Sequence, residues 1–366
     1  MGLPHVTQVG TIPPPIGGVS VHVLRLMSVL RENQVDVSLL DLHWFPGKKY
    51  PAGIQLEARG RGLGSLLRYW WKVLWSRDLL HYHASSWQSF VVANSVLALA
   101  WKRAFVVVTL HTGNTLPAPH SVGYRLFLHL LGRVNAFICV SEELFEVIKQ
   151  AIGDGRNSQN ILIRVSPYIG SGLDKSPEGS DIQHSTNSAK RSRVVVSGYG
   201  APQYNWNFVC SLIDTMSSEV EWVCCIYGPR DPQYWPAMER ELRKRSGVVI
   251  YNDLSSDGFV SILRSATVYL RPTDYDGDSV SIYEALAEDV SCVASNVVKR
   301  PSGAICYEHN NRLDCMDKLI QAEMRRPERC TMDRPSRKER EALGKANAMA
   351  ILNVYRGVVA RGDAGR

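Results

Sequence analysis

Short runs of apolar residues alternate with segments whose apolar positions recur every three or four residues along most of the chain. The run AFVVVTLH over 104–111 is typical of a buried strand, and NAFICVS over 135–141 is followed at once by the helical pattern EELFEVIKQAI. The alternation restarts at RVVVSGYG and continues through EWVCCIYGPR, GVVIYNDLS and ATVYLRPTD. Strands that alternate with helices predict α/β layers built on parallel sheets.

One polar segment interrupts this alternation. Residues 170–193 are rich in Ser and Gly and hold hardly any apolar side chains, which is typical of a linker. The 366 residues are enough for two domains, each with its own core. We predict a first Rossmann-like domain over 1–170, a linker over 171–193, a second Rossmann-like domain over 194–335 and a final helical segment over 336–366. A cleft between two such domains is the expected ligand site.

Composition and charge narrow the class of protein. Hydrophobic residues make up 45% of the chain and charged residues 21%, which excludes a disordered chain. Forty-two Lys and Arg against 35 Asp and Glu give a net charge of +7. This excess favours anionic partners and leaves phosphate-bearing small molecules, anionic lipid and nucleic acid open.

Cysteine usage and the N-terminus indicate the compartment. The eight cysteines form no C-x-x-C pair, and several lie in apolar runs, so we expect reduced core thiols rather than disulfides or a zinc site. The chain starts without a basic and apolar leader, and its longest apolar stretch, from Phe90, is too short to cross a bilayer. We therefore predict a cytoplasmic protein.

The segment over 268–296 holds the strongest candidate chemistry. It is predicted as strand, acidic glycine-containing loop, helix and strand, with Asp278 or Ser279 as the helix cap. The backbone N–H groups of the first helical turn suit a phosphate. Asp276 and Glu284 stand eight residues apart, where both can accept hydrogen bonds from sugar or ribose hydroxyls. The alternative is an ordinary capped helix with a solvated acidic loop.

This segment resembles the donor-site motif of family-4 glycosyltransferases with the GT-B fold, E-x7-E, with Asp276 in place of the first Glu. The resemblance implies that Glu284 binds the ribose of the nucleotide and that Asp276 lies near the donor sugar. It also implies that the donor phosphates are bound by the loop and the helix start, with these residues: Asp278, Ser279, Val280 and Ser281.

Two parts of the first half resemble the same family. The glycine pair Gly17 and Gly18 precedes a helix with an early histidine, and glycines there permit a close approach of the backbone to the donor diphosphate. The resemblance implies that His22 and His83 contact the acceptor and that His111 lies near the donor sugar and the reacting carbon. These histidines are either ligand contacts or satisfied core residues. We predict no metal site, because no carboxylate or Cys cluster completes the H-x-H pair that includes His83.

The sequence departs from the family at one place. Most members carry an Arg and a Lys after the first strand of the second domain, where this chain has Tyr199 and Asn205. Arg230 and Arg271, at strand ends, are candidate phosphate ligands in their place. The same two residues are equally candidates for structural ion pairs.

A basic amphipathic segment covers residues 59–78. Six apolar residues recur at helical spacing, including Trp70 and Trp71, with Ser65, Arg68 and Lys72 expected on the opposite side. This pattern predicts either an anionic membrane interface or a core helix with a solvated basic face. We predict no nucleic-acid partner, because no helix-turn-helix, finger or RNP-like signature is present.

The resemblance implies a retaining, metal-independent glycosyltransferase without a cofactor. Its donor is a nucleotide sugar, with uridine favoured, and its acceptor is a glycan or lipid-linked molecule in cell-surface polysaccharide or glycoconjugate synthesis. Two alternatives stay open, a catalytically silent partner subunit or binding module of the same fold and a nucleotide-sugar epimerase.

Overall fold

The computed structural model describes residues 3–60, 62–99, 103–111, 116–118, 120–152, 161–170, 192–216, 220–324 and 337–364. By their contacts the residues divide into two compact units. The first comprises Met1–Pro14, Gly18–Ile169 and Leu343–Arg366, and the second comprises Pro15–Gly17 and Gly170–Ala342.

The first unit contains a seven-stranded parallel sheet with the strand order β3-β2-β1-β4-β5-β6-β7. Its strands are β1 (Val6–Gly10), β2 (Val37–Asp41), β3 (Leu56–Arg59), β4 (Leu79–Ala84), β5 (Phe105–Leu110), β6 (Ala136–Cys139) and β7 (Ile161–Arg164). The helices between them are α1 (Gly18–Glu32), α2 (Leu63–Trp75), α3 (Trp87–Asn94), α4 (Val96–Leu99), α5 (Val122–Leu131) and α6 (Glu142–Ile152).

The second unit contains a six-stranded parallel sheet with the strand order β10-β9-β8-β11-β12-β13. Its strands are β8 (Arg193–Gly200), β9 (Glu221–Arg230), β10 (Val248–Asn252), β11 (Val268–Arg271), β12 (Ser291–Ser295) and β13 (Ala304–Tyr307). The helices are α7 (Trp206–Thr215), α8 (Trp235–Arg243), α9 (Ser256–Ser265), α10 (Val280–Ala287) and α11 (Arg312–Met324).

Burial explains why the central strands are continuous apolar runs. Each residue of FVVVTL in β5 is buried, because helices cover both faces of a parallel sheet. On one face of the first sheet the rings of Phe90, Phe127 and Phe137 meet edge to face at centroid distances of 5.2 to 6.2 Å. The predicted α/β class with two Rossmann-like parallel sheets is confirmed.

The strand order indicates where each sheet is expected to bind ligands. Order reverses between β1 and β4 in the first unit and between β8 and β11 in the second. Parallel α/β sheets bind ligands beyond the carboxyl ends of the strands at such reversals. His83, at the end of β4, and Arg271, at the end of β11, both lie at these positions.

The last helix, α12 (Arg337–Ala364), packs mainly within the first unit. The Nε2–H of Gln8 in β1 donates to the Tyr355 hydroxyl at 3.0 Å, and Asn347 donates to the Tyr168 carbonyl at 2.8 Å. The predicted linker over 171–193 lies outside the described residues up to 191, and β8 begins at Arg193.

The cysteines are free, and most of those described are buried. Burial raises the pKa of the Cys225 thiol to about 12. The expectation of a core thiol is wrong for Cys306, which is exposed because β13 is an edge strand of its sheet. Cys330 lies outside the described residues. Within the described ranges, no helix combines the length and the apolar character needed to span a membrane.

Candidate functional site

In the second unit, the loop after β11 leads into a helix that is buried along its whole length. Every residue of VSIYEALA in α10 is buried, and Glu284 is only 6% exposed. Ser279 occupies the N-cap position, but its hydroxyl makes no capping bond to a helix N–H. Its Oγ instead lies 2.9 Å from Oγ of Ser281, which accepts from the Tyr269 hydroxyl at 2.7 Å. The Ser279 hydroxyl therefore contacts the Ser281 hydroxyl rather than the N–H groups of the first helical turn.

Asp276, in the same loop, is held by two buried guanidinium groups. Arg271 Nε donates to Oδ2 at 2.9 Å and Nη2 to Oδ1 at 3.1 Å, and Arg300 Nη1 donates to Oδ2 at 2.9 Å. The side chains of Arg271, Arg300 and Asp276 are 6%, 1% and 11% exposed. Burial raises the pKa of the Asp276 carboxyl, but the two guanidinium groups outweigh it and lower the pKa to about 2. The carboxylate therefore stays ionised, with two cations sharing one anion.

This arrangement bears on the predicted roles of Asp276 and Arg271. Oδ1 and Oδ2 of Asp276 also accept from the Gly277 N–H at 3.1 Å and from the Thr273 hydroxyl at 3.3 Å. Five donors already exceed the about four lone-pair sites of a carboxylate, so a sugar hydroxyl would bond Asp276 only by displacing a partner. Arg271 lies in the structural ion pair that the sequence left open as its alternative role.

Arg230, the second candidate phosphate ligand, is also paired within the protein. Its Nη2 lies 2.9 Å from Oδ2 of Asp253 and donates to Oδ1 of Asn252 at 3.0 Å. Its own side chain is 30% exposed and that of Asp253 is 56% exposed. This pair is therefore more exposed to solvent than the ion pairs of Asp276, which are buried.

Arg300 is a residue that the sequence analysis missed. It follows β12, and its remaining donors bond the Ser295 carbonyl at 3.0 Å and the Thr273 hydroxyl at 3.3 Å. The available signal was its place just beyond a strand that neighbours β11, where parallel sheets gather side chains at one edge. No local motif marks it, because its partner Asp276 stands 24 residues earlier.

The glycine pair lies at the start of α1. Gly18 begins the helix, and Gly17 lies within the second unit, where a Cβ added to it would stand 2.5 Å from the Tyr199 hydroxyl. Gly228, with a φ of +65°, is also closely packed, since an added Cβ would stand 2.8 Å from Cε1 of Tyr199 and 2.9 Å from the Ile16 carbonyl. Tyr199 therefore packs directly against Gly17 and Gly228 within the second unit.

In the first unit, three of the predicted site histidines come together. His22 from α1, His83 from the end of β4 and His111 just after β5 have ring centroids 4.9 to 5.5 Å apart. Nδ1 of His83 lies 3.1 Å from Nε2 of His111. The predicted acceptor contacts and His111, predicted to lie near the reacting carbon, therefore form one cluster, which the reversal of strand order at β1 and β4 assembles.

Hydrogen bonds to neighbouring backbone and side-chain groups fix the orientation of the clustered rings. His22 donates through Nδ1 to the Pro167 carbonyl at 2.7 Å, and His83 donates through Nε2 to Oε1 of Gln8 at 2.7 Å. His81 lies behind the cluster, 2.6 Å from the Tyr355 hydroxyl. These bonds set which ring nitrogen carries the proton, a point that the sequence cannot indicate.

The cluster is made of neutral imidazoles. Burial lowers the pKa of His22 to about 4, although the bond to the Pro167 carbonyl raises it and the charge of Arg25 lowers it further. Burial, followed by the neighbouring histidines, holds the pKa of His83 and of His111 well below the usual value. Neutral rings at pH 7 offer both a donor and an acceptor nitrogen.

The burial of the amphipathic helix α2 differs from the prediction. Its buried residues are Ser65, Tyr69 and Val73, and Leu66, Trp70 and Leu74 are partly buried beside them. The apolar residues on the opposite side of the helix are exposed: Leu63, Leu67, Trp71 and Trp75. The prediction of Ser65 on the solvent side is wrong, because α2 packs through Tyr69, whose hydroxyl bonds Asn94 at 2.9 Å. Lys72 is not on a free basic face either, since it pairs with Glu57 and Asp78. The side chains of Arg59 and Arg61 lie outside the described residues.

Comparison with known proteins shows a similarity in the first half of the chain. Residues 16–157 match the model of Glycosyltransferase Family 4. This part of the chain is similar to a glycosyltransferase family. The match includes Gly17, Gly18 and the three clustered histidines, and it ends before the loop that holds Asp276. No curated protein sequence matches the chain.

Solved structures match both halves. A UDP-forming α,α-trehalose-phosphate synthase from Burkholderia xenovorans superposes with a TM-score of 0.69 at 10% identity, covering 98% of this chain and 100% of that one. Anabaena HepE in complex with UDP gives 0.66 at 11% identity, with 98% and 100% covered, and sucrose-phosphate synthase from Thermosynechococcus elongatus gives 0.65 at 13% identity, with 99% and 98% covered. At these identities the likeness shows the fold, which is GT-B. Together with the family match, it supports a GT-B glycosyltransferase family.

Proposed function

We propose that this protein is a retaining, metal-independent glycosyltransferase that uses a UDP-sugar as its donor. The acceptor is a glycan or a lipid-linked molecule in cell-surface polysaccharide or glycoconjugate synthesis. The observation that carries the proposal is the Family 4 match over residues 16–157 on a GT-B fold. The complexes of Anabaena HepE with UDP and with UDP-glucose support the choice of base.

The second unit supplies the charge that a donor diphosphate requires. Arg271 and Arg300 share the single carboxylate of Asp276, so the buried group carries an excess of one positive charge. It lies beside the start of α10, where the helix dipole adds a partial positive charge. We assign the diphosphate to Ser279, Val280 and the N–H groups there.

The other predicted donor contacts keep their roles in this proposal. Glu284, in the second turn of α10, accepts from the ribose hydroxyls, and Asp278 and Ser281 line the phosphate pocket. Asp276 acts by positioning the arginines and the loop near the donor sugar. Gly17 and Gly18 give the diphosphate close access to the backbone.

The acceptor belongs to the histidine cluster of the first unit. His22 and His83 bind acceptor hydroxyls, and His111 contacts the reacting sugar. As the glycosidic bond to the diphosphate breaks, an acceptor oxygen forms the new bond on the same face of the sugar, and its proton passes to the departing diphosphate. The protein contributes by holding both partners and by stabilising the charge that develops on the diphosphate.

Nucleotide binding tests the donor site. Thermal denaturation is measured with UDP, GDP, ADP and dTDP, because a ligand at about a hundred times its dissociation constant adds about 2.7 kcal/mol to the free energy of unfolding. We expect stabilisation by UDP that Glu284→Gln abolishes. Glu323→Gln, an exposed change on α11, is the matched control and should leave the shift intact.

Turnover separates the alternatives. A transferase releases UDP only with an acceptor present and makes a product with the donor's anomeric configuration, in EDTA as in buffer. A silent partner binds UDP without turnover, and an epimerase converts the donor without any acceptor. Absence of a shift with every nucleotide would overturn the proposed donor site.

We further propose that the protein binds an anionic membrane surface through α2. Trp71 and Trp75 are 67% and 55% exposed, and their rings lie 5.6 Å apart on the face that does not pack into the unit. The guanidinium of Arg103 lies 5.5 Å from the Trp75 ring. Tryptophans beside cations suit the boundary between lipid headgroups and acyl chains, where a lipid-linked acceptor would also lie.

Vesicle sedimentation tests this surface. The wild type should bind phosphatidylglycerol vesicles, more weakly as salt rises, and Trp71→Glu with Trp75→Glu should release it. Val147→Glu, a change at an exposed valine of α6, is the control. Trp70 is unsuitable for this test because its ring N–H donates to the Ala93 carbonyl at 2.7 Å. Equal sedimentation of the double variant and the wild type would refute the proposal, as would self-association through α2 in place of lipid binding.

A further inference from the structure

Three imidazole nitrogens converge in the first unit. One nitrogen from each of His22, His83 and His111 lies within 4.8 Å of the other two, and among the described residues they form a group able to hold a metal ion. Nδ1 of His83 and Nε2 of His111 are 3.1 Å apart. Two nitrogens bound to one tetrahedral zinc ion at 2.0–2.1 Å stand about 3.3 Å apart, so this pair already has the required separation.

The hydrogen bonds of His22 and His83 to neighbouring groups leave one unprotonated ring nitrogen on each, as a metal ion requires. A carbonyl can only accept, so the bond to Pro167 places the proton of His22 on Nδ1 and leaves a lone pair on Nε2. The bond to Oε1 of Gln8 likewise leaves the lone pair of His83 on Nδ1. Second-sphere partners of this kind orient metal-binding histidines in proteins.

Among the described residues, one of the three nitrogens has no partner. Nε2 of His22 makes no hydrogen bond to any of them, in a residue that is 2% exposed. A buried polar atom without a partner is costly, and it is rare in folded proteins. The lone pair points to a ligand that accepts electrons rather than to packing.

We propose that His22, His83 and His111 bind one divalent transition-metal ion of the zinc class, with a fourth coordination position open. Imidazole is a preferred ligand of such ions, and three histidines with an open position are a known catalytic-type set. Binding needs only a change of tautomer at His111, which moves its proton from Nε2 to Nδ1 and leaves its charge unchanged. His111 is partly exposed and gives the ion access.

The ion would compete with the acceptor for the same ring nitrogens. Binding itself does not rest on the proposed function, since it needs only the three imidazoles. If the protein is a transferase, the ion inhibits transfer by occupying His22 and His83. The charge of Arg25 acts on His22 and opposes a cation there, which lowers the metal affinity that we expect.

Cobalt supplies a spectroscopic probe of the site. The untagged full chain is freed of metal with EDTA and titrated with Co²⁺, which absorbs in the visible with the intensity of four-coordinate cobalt when three histidines bind it. We expect one Co²⁺ per chain, displaced by Zn²⁺. His22→Phe, which keeps a ring but removes the ligand nitrogen, should abolish the absorption, and His129→Ala, at an exposed histidine of α5, should not change it.

A second variant keeps the test decisive if His22→Phe fails to fold. Gln8→Met retains the volume of the side chain but removes the bond to His83, and it should weaken metal affinity by about 10- to 100-fold. Circular dichroism checks that each variant is folded.

The outcomes separate this proposal from the donor site. No cobalt absorption in the wild type, or equal affinity in His22→Phe and the wild type, would overturn the metal site. Stabilisation by UDP is measured on the same samples and does not require a nitrogen of His22, His83 or His111. Loss of one response with retention of the other therefore shows which proposal has failed.

Discussion

The buried ion pairs of Asp276 lead to the sharpest prediction. Asp276→Asn keeps the shape of the side chain but leaves the guanidinium groups of Arg271 and Arg300 buried without their anion. The fall in the pKa of Asp276 from 3.8 to about 2 corresponds to about 2 kcal/mol in favour of the ionised form. Removing one member of a buried pair generally costs about 3–5 kcal/mol, because the remaining charge stays desolvated. We therefore expect a loss of about 3–5 kcal/mol in the free energy of unfolding.

Urea unfolding measures this loss, with the fluorescence of Trp206 and Trp222, both fully buried in the second unit, as the signal. Asp253→Asn is the control, since it breaks an exposed pair with Arg230 whose contribution should stay below about 1 kcal/mol. If Asp276→Asn costs no more than Asp253→Asn, the reasoning from burial is wrong.

The same pair predicts a pH dependence. Because the folded pKa of Asp276 lies below the unfolded one, the unfolded chain takes up the proton first as pH falls. The contribution of Asp276 is complete above pH 3.8 and disappears as the pH falls towards 2. The difference in stability between wild type and Asp276→Asn should therefore shrink over this interval. A difference that stays constant from pH 5 to about 2 would contradict the assignment.

Two further predictions concern close packing and the final helix. Gly17→Ala should weaken UDP binding, because its Cβ would stand 2.5 Å from the Tyr199 hydroxyl, and adding Tyr199→Phe should restore it. Gly64→Ala, where an added Cβ meets nothing within 4 Å, should leave UDP binding unchanged, and equal thermal shifts in all three variants would argue against the contact. Tyr355→Phe removes a hydroxyl that lies 2.6 Å from Nδ1 of His81 and should lower the free energy of unfolding by about 1–3 kcal/mol. Urea midpoints equal to those of the wild type would show that this buried bond contributes nothing.

Local patterns were sufficient for the architecture because they report burial. Strands such as AFIC at β6 and helices such as α6 follow from period and turn signals, and Ser141, directly before α6, accepts from the Leu144 N–H at 3.3 Å. The same patterns were only partly correct for α2. Leu66, Trp70 and Leu74 of its predicted apolar stripe pack against the core, whereas the other three are exposed: Leu63, Leu67 and Trp71. Which face of a helix is buried depends on what lies opposite, and a pattern with apolar residues on two faces does not decide it.

The candidate sites show the same division between local and long-range information. Sequence alone determined two α/β halves, a glycine loop ahead of α1, and an acidic loop ahead of α10, because each is written in consecutive residues whose backbone preferences are local. Tertiary structure alone decided that Arg300 shares Asp276 with Arg271, and that His22, His83 and His111 converge. These side chains come from separate strands and helices, and only the order of strands in a parallel sheet gathers them at one edge. Burial among those neighbours, rather than residue type, then fixes the charge each group carries.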